Sequence, residues 1–190
     1  MRTLDGPRGT GLAFSVHGHT VDVLPYGDVA VDGIIEPAPG VTLDVTGVAE
    51  SVENAVKVPI GTGNILIPTL ASMIGLKVIA WAYRRATTLK DARDLGPLLD
   101  ATHHGPFADA LWGDDESCER WEYDDVLVGP YRAGRELRST WREDSLRSLL
   151  ETLDFDTLDE LAARIARESR SRTEVRREQL AALLHGVRGT

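Results

Sequence analysis

At Pro68-Thr69 the hydrophobic period of the chain changes, and the kind of secondary structure it can form changes with it. Before it, apolar and β-branched residues fall in short runs cut by Gly and Pro, and alternation of that kind predicts strands. Segments 12–16 and 20–24 alternate on either side of His17-Gly18-His19, which predicts a hairpin. Val29-Ala30-Val31 and Ile34-Ile35 flank Asp32-Gly33, a second turn between short extended pieces. Further strands are expected over 41–45, 55–60 and 65–67, with a short helix over 48–54.

After the change, Leu70, Met73, Ile74, Leu76, Val78, Ala80 and Trp81 predict a helix that is apolar over most of its circumference. Thr88-Leu89-Lys90-Asp91 reads as a capping-box variant opening a second helix to about residue 101. Gly96-Pro97 inside it predicts a kink or an early end. A loop with a short helical piece over 103–117 leads to helices near 123–140, 142–153, 158–169 and 174–184. The expected class is therefore α+β, with an α/β part over 1–101 and a helical C-terminal region over 102–190.

Composition narrows the partners. With 30 acidic against 21 basic side chains the chain carries a net charge of −9. Such a chain is a poor general binder of nucleic acid, because affinity for phosphate backbones rests on Lys and Arg. The charge is uneven, however. Acids crowd 114–125, whereas seven arginines, Arg164 to Arg188, crowd the C-terminal end and offer a surface for RNA or an acidic partner. The single cysteine, Cys118, excludes an internal disulfide framework and suits a cytoplasmic location. No apolar h-region follows Arg2 and no run approaches the ~20 residues of a membrane span, so neither a secretory signal nor a membrane partner is expected.

Three features bear on chemistry. Asp22 stands in Val21-Asp22-Val23, where an acid is disfavoured by strand propensity. It is either a solvated edge charge that discourages aggregation or a metal-facing carboxylate. Lys77 has Met73, Ile74, Ala80 and Trp81 as helical neighbours, so it either snorkels out of a core face or enters a cleft where its point charge meets a phosphate. Asp91 and Asp94, three apart, share a helix face. Asp91 also stands where a capping-box acid belongs, and the other reading is a general base oriented by Lys90 or Arg93. The pairs His17/His19 and His103/His104 lack a spaced set of further metal ligands, and no glycine-rich phosphate loop follows a strand.

The ordered series Val21-Asp22-Val23-Leu24-Pro25-Tyr26-Gly27-Asp28, Leu76-Lys77-Val78-Ile79-Ala80-Trp81 with Arg84-Arg85, and Lys90-Asp91-Ala92-Arg93-Asp94-Leu95 resembles a known family. These are the predicted nucleotidyltransferases related to the AbiEii-type toxins of type IV toxin–antitoxin systems, and the likeness runs from about residue 12 to residue 99. The resemblance implies a polymerase-β-like nucleotidyltransferase sheet, a nucleoside triphosphate as donor, Mg²⁺ as cofactor, tRNA as acceptor and an antitoxin as partner. It makes Asp22 the metal-binding carboxylate, Lys77 with Arg84 and Arg85 the nucleotide-binding cations, and Lys77, Asp91 and Asp94 the catalytic set. The family's first motif, a Gly-Ser pair followed by closely spaced acids, has no counterpart in the 21 residues before Asp22. Three expectations follow: a truncated member of a transferring enzyme family, a non-catalytic binding module that docks a protein partner, or a plain soluble α+β domain in which Asp22 is exposed and Lys77 snorkels.

Overall fold

The computed structural model describes residues 2–3 and 12–190, so the glycines at positions 6, 9 and 11 lie outside the described residues. Strands β1 (Arg2–Thr3), β2 (Ala13–Val16) and β3 (His19–Asp22) pair in that order, all antiparallel. The β2–β3 turn is made by His17 and Gly18 at φ of 50° and 81°. Two positive φ values in a two-residue loop match the right-handed twist of the flanking strands, which explains why this short hairpin closes where the sequence suggests. Asp32 and Gly33, at 49° and 75°, turn the chain again between Val31 and Ile34.

Strands β4 (Ile34–Ala38) and β5 (Val41–Asp44) form a second hairpin, and β6 (Val56–Ile60) and β7 (Gly63–Ile67) a third. Helix α1 (Val48–Glu53) lies between them. The predicted sheet is thus three separate antiparallel sheets among the described residues, in which each strand pairs with a sequence neighbour.

From Thr69 onward the chain is helical. Thr69 caps α2 (Leu70–Arg84) by accepting the Ser72 N–H at 3.2 Å, so the change of period is also a capping signal. Helix α3 (Lys90–Ala101) runs through Gly96-Pro97, so no early end occurs there. Leu95 and Leu99 on either side of Pro97 are fully buried, and that packing outweighs the hydrogen bond that proline cannot donate. The loop expected over 103–117 contains two short helices, α4 (Pro106–Leu111) and α5 (Asp115–Arg120). Helices α6 (Asp125–Thr140), α7 (Glu143–Thr152), α8 (Phe155–Ser169) and α9 (Thr173–Arg188) complete the chain close to their expected bounds.

The core is helical. Ile74 and Trp81 of α2, Leu95 and Leu99 of α3, Leu137 of α6, Leu149 of α7, Ile165 of α8 and Leu183 of α9 belong to one buried cluster. Each such side chain contributes about 1.5–3 kcal/mol on leaving water. Two anchors fix the non-helical part to this bundle. The Trp141 indole lies so close to Gly47 and Gly75 that a β-carbon at either would overlap the ring. Glu50 of α1 is buried and accepts the Ser145 hydroxyl at 2.7 Å, with Arg142 3.5 Å from its other oxygen. The β5–α1 segment is therefore held against α2 and α7.

Among the described residues, no helix is long and apolar enough to cross a membrane.

Candidate functional site

Helix α2 has two working faces. Ile74, Val78 and Trp81 enter the core, while Met73, Lys77, Ala80 and Arg84, spaced three and four apart, face a cavity of about 720 Å³. A volume of that size lies within the range of small-molecule sites. Asp94, Pro97 and Leu98 of α3 form a second side. Leu24, Leu43, Asp44, Thr46 and Val48 close it from the hairpin side.

Lys77 does not snorkel into solvent. Its Nζ lies 2.6 Å from Asp94 Oδ2 and 3.3 Å from Asp91 Oδ1, and Arg84 Nη2 donates to the same Asp91 oxygen at 2.8 Å. The two carboxylates share a helix face, as their spacing indicates, but their settings differ. Asp91 is 1% exposed and Asp94 36% exposed. Asp94 lines the cavity; Asp91 stands behind the two cations that line it. Nor does Asp91 act as a capping acid: Thr88 Oγ1 takes the Lys90 N–H at 3.2 Å, and the Asp91 carboxylate is spent on Lys77 and Arg84. Its Oδ2 is buried without a hydrogen-bond partner, an unusual cost for a charged group that marks this aspartate as more than a solvated surface charge.

Two expected site residues lie elsewhere. Arg84 is seven positions beyond Lys77, nearly two full turns, whereas Arg85 is a further ~100° around the helix. Arg85 accordingly leaves the cluster, donates to Glu160 of α8 at 2.9 Å and covers the Trp81 ring at 5.4 Å. Asp22 is exposed at the end of β3, opposite Ala13, and no hydrogen bond or ion pair among the described residues joins it to Lys77, Asp91 or Asp94. Two residues on, Leu24 reaches the cavity.

Arg93, read in the sequence as a candidate orienter of Asp91, lines the cavity but its Nε holds Glu168 at 3.0 Å instead. Other lining residues have no part in the sequence reading of the site. Tyr83 lines it too, and its hydroxyl donates to the Thr42 carbonyl at 2.9 Å, clasping β5 to α2. Asp44 and Thr46 stand on the opposite wall, with the Thr46 N–H held by Asp44 Oδ1 at 2.9 Å. The only sequence signal for them is Asp-x-Thr-Gly at a strand end, which also describes an ordinary turn.

Among the described residues, no group of three His, Cys, Asp or Glu side chains is placed to hold a metal ion. The His103 and His104 rings contact each other at 4.3 Å, far from forming a ligand set. The cavity can instead offer cations to an anion, one exposed carboxylate beside them, and an apolar interior. No family model, curated protein or solved structure matches the chain.

Proposed function

We propose that the chain is nucleotidyltransferase-like and takes the phosphates of a nucleoside triphosphate between α2 and α3. The observation that supports this most is the convergence of Lys77, Arg84 and Asp94 on one cavity, with Asp91 buried behind them. A lysine ammonium is a compact charge suited to triphosphate oxygens, and the guanidinium of Arg84 adds a planar donor. In the transfer, an acceptor hydroxyl oxygen bonds to the α-phosphorus, pyrophosphate leaves with the electron pair of the broken bond, and a carboxylate accepts the hydroxyl proton. Asp94 borders the cavity and is exposed enough for that last task, while Asp91 keeps Lys77 and Arg84 in place. In this reading the hairpins are part of a polymerase-β-like sheet, the acceptor is an RNA end such as that of tRNA, and the setting is a cytoplasmic toxin with an antitoxin partner.

Magnesium belongs to the reading only as the counter-ion that a triphosphate brings. Asp22 stands exposed and apart, and Asp91 and Asp94 are already matched by Lys77 and Arg84. The described residues do not fit a metal seat of their own, and none of the steps above runs through one.

The mainly apolar lining, with Lys77 neutralised by two acids, favours a second reading: a binding module that holds a ligand or a protein partner without transfer. Incorporation of labelled nucleotide, with Mg²⁺ supplied, separates the two. Transfer that disappears in Lys77→Ala and Asp94→Ala supports the first. Absence of transfer, with a partner that co-purifies equally with wild type and both variants, supports the second. Transfer that persists unchanged in both variants sinks the assigned roles.

A further inference from the structure

The cavity has a second polar wall that the reading above does not use. The β5–α1 segment runs along α2 in the opposite direction. At one end Thr42 meets Tyr83, and at the other Gly47 shares the Trp141 indole with Gly75. Asp44 and Thr46 therefore lie along the stretch of α2 that carries Lys77 and Ala80, and all four residues line the same space. Asp44 is half-buried, and its Oδ1 is fixed by the Thr46 N–H at 2.9 Å. Among the described residues its Oδ2 takes part in no hydrogen bond or ion pair.

A carboxylate in that position repels phosphate and accepts only from a donor. The surfaces between the two polar walls are apolar: Leu24, Leu43, Met73, Leu76 and Leu98. We infer that Asp44 is a specificity-determining residue, accepting a hydroxyl or amine hydrogen bond from the non-phosphate end of a bound nucleotide. The inference rests on the proposed placement of phosphates at Lys77 and Arg84. It makes the site selective for an organic phosphate with a donor group over a bare polyphosphate. The donor is a ribose hydroxyl or an exocyclic amine of the base, and the choice of probes tells them apart.

The test is calorimetric titration of the full chain with tripolyphosphate, ATP, 2′-deoxyATP and UTP, using wild type, Asp44→Asn and Lys77→Ala. Asp44→Asn keeps the shape and an acceptor for the Thr46 N–H but puts an amide donor where Oδ2 was. Asp44→Ser replaces it if the Asn variant fails to melt cooperatively. The expected result is at least ~10-fold weaker ATP binding in the Asp44 variant, with tripolyphosphate bound as well as or better than by wild type. A contact to the ribose 2′-hydroxyl makes 2′-deoxyATP weak on wild type and insensitive to the substitution, and a contact to the 3′-hydroxyl does so for 3′-deoxyATP, titrated alongside. An amine contact does the same for UTP. If ATP binds wild type and Asp44 variant alike while tripolyphosphate still needs Lys77, the role of Asp44 is overturned and the phosphate placement stands. If neither tripolyphosphate nor ATP binds wild type, both are overturned.

Discussion

Gly134 and Gly186 face each other where α6 and α9 cross, and each leaves room only for the other helix's backbone. A β-carbon on Gly134 would overlap the Leu183 carbonyl oxygen and lie 2.9 Å from Val187 N; one on Gly186 would overlap the Tyr131 carbonyl oxygen and lie 2.8 Å from Arg135 N. The pressure falls on main chain, which cannot swing away as a side chain can. Gly134→Ala and Gly186→Ala should each destabilise the fold by about 3 kcal/mol or more. Gly113→Ala, whose nearest neighbour would be 3.8 Å away, should stay within about 0.5 kcal/mol in the same urea titration. Equal midpoints for all three would show that the helices part easily.

Arg176 is the deepest cation of the described residues, 4% exposed. It donates to both oxygens of Asp100 at 2.5 and 3.0 Å, to Gln179 at 2.9 Å and to Ser171 at 2.8 Å. It joins the start of α9 to the end of α3. Asp100 is half-exposed, so water replaces part of what Arg176→Ala removes, and the expected loss is ~2 kcal/mol rather than the full cost of an abandoned buried charge. Arg176→Met keeps the volume and should lose less. Urea midpoints that place Met below Ala would reverse this account.

Acid should weaken the same corner in two stages. Burial, reinforced by the neighbouring His104, pushes the His103 imidazole below its ordinary value of 6.5. The unfolded chain then binds the proton first, so this contribution is complete above about pH 6.5 and declines as pH falls toward the lowered folded value. For Asp100, burial alone would raise the carboxyl, but hydrogen bonding to Arg176 and its charge prevail and leave it lowered from 3.8. Its contribution is present above that ordinary value and is lost as pH falls through the folded one. Thermal melting of wild type should therefore decline between about pH 7 and pH 5, and His103→Gln should flatten that first limb. An unchanged slope in the variant would assign the limb to another group.

Lys77 lies 2.6 Å from Asp94, which under the proposed function competes with incoming phosphates for it. Asp94→Asn removes the competitor, so tripolyphosphate should bind severalfold more tightly while nucleotide transfer falls by ~100-fold or more. Lys77→Ala should lose both. Weaker polyphosphate binding in Asp94→Asn would mean that Asp94 holds Lys77 in a productive position rather than competing for it.

Much of this arrangement can be read along the chain, and the exceptions have physical causes. The turns at His17-Gly18 and Asp32-Gly33 and the cap at Thr69 are local decisions of a few residues, and all three occur. The convergence of Lys77 with Asp91 and Asp94 follows from helical spacing plus the antiparallel return of α3 on α2. What could not be read depends on distant partners. Arg85 is drawn to Glu160, seventy-five residues away, and Pro97 is tolerated because of leucines buried against other helices. Asp44 is an ordinary strand-end acid until α2 is laid beside it, and the position of Asp22 depends on how its hairpin meets the bundle.

The walls of the cavity come from two kinds of structure. α2 and α3 open only when the shared core opens, whereas β4 and β5 pair as strands only with each other and are tied to α2 through the Tyr83–Thr42 contact, so they are released at smaller cost. A molecule that touches both sides ties the fate of the hairpin to that of the helices. Occupancy would then be recorded as slowed amide exchange along Val41–Asp44, on the wall opposite the Lys77 and Arg84 cations.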